Sequence, residues 1–179
     1  ASAFLCSPHS RAAILTVDGV GEHATTSLWR GSPEPPFIEP VAEIRFPHSL
    51  GLFYSAITAY LGFAVNEGEY KVMGMAAYGQ PRFRDEMARL LRIDDSGGYS
   101  LDLDYFCFHW HHNQSFTSKL VTLLGQPRYP GTPFVPQGTS ADATSDEMAE
   151  SQRFADVAAS AQAALEDALL ALANHASSQ

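Results

Sequence analysis

Cysteine is scarce in this chain, which has two such residues, Cys6 and Cys107, far apart and outside any CxxC pair. That spacing excludes a disulfide framework and makes a reducing cytoplasm the default compartment. Long apolar runs are missing as well. The longest, around Leu50 to Val65, is interrupted by Ser55, Thr58 and Gly62, and falls short of the roughly 18 apolar residues of a membrane span. Basic residues are few: 11 Lys and Arg face 20 Asp and Glu, a net charge of −9. Such a surface repels phosphate backbones unless a dense basic patch is present. Arg82, Arg84, Arg89 and Arg92 do not make one, because Asp85 and Glu86 lie among them. Neither a nucleic acid nor a membrane is therefore an expected partner. What the chain does have is a globular composition, 45% hydrophobic and 17% charged.

Local patterning predicts an α/β chain. Ala12 to Val17 is a short β-branched run that ends in Asp18-Gly19-Val20-Gly21, so it reads as a buried strand entering a glycine turn. Thr25 to Trp29 reads as the returning strand. Val41 to Phe46 reads as a third strand, with Ala42, Ile44 and Phe46 on one face. Ser49 is a fair N-cap for a helix from Leu50 to about Leu61. Further helices are expected over Glu69 to Ala76, Pro81 to Leu91 and Ser115 to Leu124, with Tyr99 to Phe108 extended. Residues 126–145, rich in Pro, Gly, Thr and Ser, read as a surface loop. Thr144-x-x-Glu147 forms a capping box for a long helix over 146–176, whose apolar face is Phe154, Val157, Ala161, Leu165, Ala168, Leu169 and Leu172. Ala1 to Leu5 reads as the tail of a helix whose beginning is missing, which suggests a piece of a longer chain.

The strand-to-turn octapeptide Leu15 to Glu22 carries the first candidate chemistry. Glycines let a backbone approach a ligand closely, and turn amides cradle an anionic phosphate. An aspartate beside them offers the hard oxygen that a phosphate-associated cation prefers. An ordinary Asp-Gly hairpin turn explains the same residues. Glu67 and Lys71 are four apart; on a helix they would make a surface ion pair worth roughly 0.3–0.5 kcal/mol. His109-Trp110-His111-His112 lacks the further ligands and supporting shell of a zinc site and reads as a solvated edge.

Four strings change the weight of these readings: Ala1-Ser2-Ala3-Phe4, Leu15 to Glu22, Glu43 to Leu52 (EIRFPHSLGL), and Asn66 to Gly79 (NEGEYKVMGMAAYG). In order and spacing they resemble the NodU / cephem O-carbamoyltransferase family, and the resemblance returns at Phe154 to Gln162. It implies a partial N-terminal domain of the actin/hexokinase-like ATPase (ribonuclease H-like) fold, similar to the tRNA threonylcarbamoyladenosine transferase, with a mixed sheet and packed helices. Residues 1–125 would form the metal and nucleotide lobe, 126–145 its loop and 146–176 the long helix.

The implied activity is ATP-dependent. A carbamoyl group passes from carbamoyl phosphate, through a carbamoyl-adenylate made by a YrdC-like domain, to a hydroxyl of a small-molecule acceptor. Carried residue by residue, Asp18 matches a ligand of an iron-type (Fe2+) metal, and Gly19 and Gly21 match the phosphate-facing turn. Glu67, Glu69 and Lys71 match a segment lying along the ATP ribose and phosphates, in a cleft between two lobes. The family's HHxxHA ligands would precede Ala1, and its GGVALN-type loop would follow Gln179. His23 after DGVGE and Ala77 in place of a proline depart from the pattern. A non-catalytic actin-like interaction module, or another actin-like ATPase or sugar kinase, is the alternative.

Overall fold

A computed structural model describes residues 1–111, 113–136 and 143–178. The chain divides into two compact units, one of residues 1–52, 93–101 and 167–179, the other of residues 53–92 and 102–166. Residues 1–125, expected to share one core, contribute to both.

The first unit opens with a short helix, α1 (Ser2–Leu5), followed by β1 (Ala12–Val17), β2 (Ala24–Gly31) and β3 (Ile38–Arg45) in the order β1-β2-β3. Both pairings are antiparallel, so among the described strands this sheet is not the mixed one expected. The reason lies in the connections. Residues 18–23 and 32–37 are too few for the crossover of about a dozen or more residues that parallel neighbours need. β2 is the central strand and carries the buried Thr25, Thr26, Ser27 and Leu28. Its hydroxyls are all engaged: Thr25 Oγ1 donates to the carbonyls of Ile44 and His48, Thr26 Oγ1 lies 2.8 Å from Tyr99 Oη, and Ser27 Oγ lies 2.6 Å from Thr16 Oγ1. Burying hydroxyls without partners would cost several kcal/mol, of order 1–3 each. The face expected of β3 is broken by a register shift opposite Leu28 and Trp29, which leaves Ala42 exposed, and Phe46 falls just beyond the strand.

α2 (Leu50–Tyr60) contributes Leu50, Gly51 and Leu52 to the first unit and its remainder to the second. In the second unit follow α3 (Glu69–Ala76), α4 (Arg84–Leu90) and α5 (Ser118–Leu124); β4 (Leu91–Ile93) and β5 (Tyr99–Leu101) form a two-stranded ribbon. The core of the second unit is built on Phe53, Ile57, Tyr60, Val72, Met87, Phe106, Leu120 and, within α6 (Ser145–Ser177), the buried face up to Glu166. The capping box forms as expected, with Glu147 N donating to Thr144 Oγ1 and Thr144 N to Glu147 Oε2. Part of the expected surface loop, residues 137–142, lies outside the described residues.

α4 begins at Arg84 rather than at Pro81 because α6 holds the chain ahead of it. The buried Asp156 accepts Gln80 N at 2.8 Å, and Ser160 Oγ accepts Phe83 N at 3.0 Å. Gly79 packs so closely on α6 that a Cβ there would stand 2.0 Å from the Ala155 carbonyl oxygen. The extended stretch after Tyr99 is likewise cut short, since the Asp102 side chain caps a 3-10 turn over Leu103–Tyr105. No helix among the described residues is long and apolar enough to cross a membrane.

Candidate functional site

Asp18 stands immediately after β1, and its side chain is exposed. Its backbone is tightly held. Asp18 N donates to the Thr25 carbonyl at 2.8 Å, which closes the β1–β2 turn. Ser49 Oγ donates toward the carbonyls of Asp18 (3.2 Å) and Gly19 (2.5 Å) while accepting Leu52 N at 3.0 Å. Ser49 is thus both the N-cap of α2, as its sequence position predicts, and a clamp on the glycine turn. Tyr99 Oη accepts Leu50 N, and His48 Nδ1 accepts Leu101 N at 3.1 Å. Accepting at Nδ1 leaves Nε2 to carry the proton of a neutral His48 ring.

The glycines differ in what they do. Gly21 has φ +65°, and a Cβ on it would sit 2.2 Å from the Ala24 carbonyl oxygen, so the turn itself requires it. A Cβ on Gly19 would meet nothing within 4 Å. Gly51 on α2 is the unforeseen member: its Cβ would come within 2.7 Å of Gly19 Cα. The helix N-terminus is therefore pressed against one side of the turn while the position of a Gly19 side chain stays open. The signal for this was present in the sequence, in the glycine of His48-Ser49-Leu50-Gly51, but no periodicity rule points from it to residue 19.

In the second unit, Glu67 lies in the turn before α3 and is exposed, so the helical pairing with Lys71 does not arise. Lys71 is exposed, with Nζ 5.8 Å from the ring centroids of both Phe63 and Tyr70. Glu69 is more constrained. Its Oε1 accepts Ser55 Oγ and Asn66 N at 2.9 Å each, and its Oε2 accepts Gly68 N at 3.2 Å. Burial pushes this carboxyl up, but the hydrogen bonds from Asn66, its own backbone, Ser55 and Gly68 outweigh it and hold Glu69 below the usual carboxylate range. A depressed native value means that the ionised side chain stabilises the fold above the ordinary carboxylate range, near pH 4.3, and that this contribution fades as pH falls through the native value. Glu69→Gln is expected to flatten the acid limb of the urea-midpoint profile below about pH 5. An unchanged acid limb would show that these hydrogen bonds do not matter to the fold.

Nearby, Tyr54 donates to Gln162 Oε1 at 2.9 Å, and Gln162 Nε2 donates to Glu166. Burial, then the charges of Glu166 and Glu69, push the Tyr54 phenol up to about 12. It remains a donor across the working pH range.

Asp18 suits a hard cation in its oxygen chemistry and exposure. Among the described residues, however, no group of three His, Cys, Asp or Glu is placed to hold a metal. Of the histidines near Trp110, His111 accepts Asn113 N through Nδ1 and the buried His109 Nδ1 has no partner among the described residues; His112 lies outside them. The departure at His23 is a surface matter, with its Nε2 3.8 Å from Glu43.

The class of protein follows from comparison with known families. Residues 1–179 match the family described as carbamoyltransferase N-terminus, and the chain belongs to it. An uncharacterized protein of Synechocystis is 43% identical over 175 residues, 97% of this chain and 26% of that protein. The nodulation proteins NolNO of Sinorhizobium fredii and NolO of Bradyrhizobium diazoefficiens are 40% and 38% identical, each over 104 residues. That is 58% of this chain, and 15% and 18% of theirs. The chain thus spans about a quarter or less of the length of these relatives.

Proposed function

We propose that this chain is part of an ATP-dependent O-carbamoyltransferase of the actin-like ATPase fold, in which the carbamoyl group of carbamoyl phosphate reaches a small-molecule hydroxyl by way of carbamoyl-adenylate. The observation that carries this reading is Asp18: an exposed carboxylate at a strand end, with its main chain fixed by Thr25, Ser49 and the close approach of Gly51, inside a chain of the carbamoyltransferase N-terminus family. Catalytic ligands work best when their position is set before substrate arrives, and this one needs no main-chain rearrangement.

In this reading Asp18 is one ligand of a divalent, iron-type metal. When bound, the metal offsets negative charge and polarises oxygen. The Gly19 to Gly21 turn faces phosphate, and the open space at Gly19 leaves room for it. Lys71, exposed beside two rings, supplies a positive charge for the ATP phosphates. Glu67 is free to accept from ribose hydroxyls. Glu69 shapes the turn that presents Glu67, through Asn66 and Gly68. The YrdC-like domain that makes the adenylate belongs to the rest of the polypeptide.

ATP-dependent transfer of label from carbamoyl phosphate to a hydroxyl compound by the full-length protein tests the reading; turnover that ignores either ATP or carbamoyl phosphate would refute it. For Lys71→Ala in that protein, calorimetry is expected to show ATP affinity about tenfold weaker or more, the loss of a charge-assisted contact worth roughly 1.5–3 kcal/mol. Unchanged affinity removes Lys71 from the nucleotide site.

A further inference from the structure

α3 has two apolar sides. Val72 and Met75 are buried within the second unit. On the outside, Tyr70 is 64% exposed, Met73 53% and Tyr78, just past the helix, 55%. Gly74 and Ala77 complete this outer stripe at helical spacing. A helix that is apolar on both sides belongs inside a protein, and contiguous exposed apolar surface of this kind marks an interface.

Gly74 sharpens the point. A glycine within a helix destabilises it relative to alanine. Here neither a positive φ nor a neighbour accounts for it, since a Cβ at 74 would meet nothing within 4 Å. Alongside runs a groove of about 340 Å³, lined by Met73, Ala76 and Ala77 of the α3 end and by Ala159, Gln162 and Ala163 of α6. Its floor is mostly methyl groups, and its one charged edge is Glu166. Small residues on both walls suit close approach by another backbone or a row of apolar side chains.

We propose that in the full-length polypeptide this groove is filled by an apolar segment of the same chain lying outside residues 1–179. Two observations favour that occupant over a second copy. The relative that aligns with 97% of this chain has 26% of its length in the match, so most of such a polypeptide is covalently tethered to this unit. Tethering presents a segment at an effective concentration near the millimolar range, far above that of a separate molecule. A patch spanning two helical turns also covers on the order of a few hundred Å², below the roughly 800 Å² per partner of a stable free-standing interface.

The inference does not depend on the proposed chemistry and is tested without an activity assay. The full-length protein is exposed to dilute hydrogen peroxide, and oxidation of Met73 is followed by peptide mass spectrometry, natively and in urea. With the groove filled, Met73 reacts at least about tenfold more slowly in the native protein, whatever the protein concentration. Oxidation near the rate in urea shows an open groove and overturns the proposal. Protection that disappears on dilution to monomer assigns the groove to a second copy and overturns it equally. Gly74→Gln gives an independent sign: in a filled groove it lowers the melting temperature and speeds Met73 oxidation, whereas on an open helix it raises the melting temperature and leaves Met73 unchanged.

Discussion

Replacing Asp18 with asparagine in the full-length protein is expected to reduce carbamoyl transfer by a factor on the order of 10² or more, with the fold intact. The size follows from losing a charged metal ligand, since altering even the groups that support such ligands typically costs about 10–100-fold. The intact fold follows from the geometry. Asp18 enters the structure through its main chain, donating to Thr25 and receiving Ser49, and its side chain is exposed. A substitution of that kind changes stability by about 0.5 kcal/mol or less. The check is metal content by mass spectrometry beside a urea unfolding curve. Lost metal with an unchanged midpoint fits a ligand, and retained metal removes the assignment.

Gly51→Ala is expected to do the opposite, harming stability and activity together. The added methyl must displace Gly19 Cα, 2.7 Å away, and Gly19 N at 3.0 Å, both of them main chain and unable to swing aside. Overpacking of this sort costs about 1–3 kcal/mol. The displacement falls on the turn next to Asp18, so turnover declines with the unfolding midpoint. Gly19→Ala provides the contrast. Its Cβ meets nothing in this chain, so stability changes little, and activity falls only if a ligand occupies that space. Equal stability loss in the two variants, measured by urea titration, would mean that the packing of α2 on the turn is not as described.

How much of this was legible beforehand varied with the distance over which the information acts. The bounds of β1 over Ala12–Val17 and of α3 over Glu69–Ala76 follow from local runs and breakers and coincide with the structure, but β1 is not the buried strand expected, since Ile14 alone of its residues is buried. The Thr144–Glu147 capping box is a four-residue signal and was equally plain. Boundaries moved where a distant residue intervened. Asp156 and Ser160 delay α4, and no window around Pro81 contains them. β3 lost its alternation to a bulge set by its partner strand. Asp18 itself was legible as a strand-end acid. The clamp on it, made by Ser49 and Gly51 from some thirty residues away, needed the folded chain.

The most direct test follows radiolabelled carbamoyl phosphate supplied with ATP and a small-molecule extract to the full-length protein, wild type beside Asp18→Asn. The account predicts ATP-dependent labelling of a hydroxyl compound by the wild type and a loss of about a hundredfold or more in the variant. Labelling by the variant at the wild-type rate would contradict it.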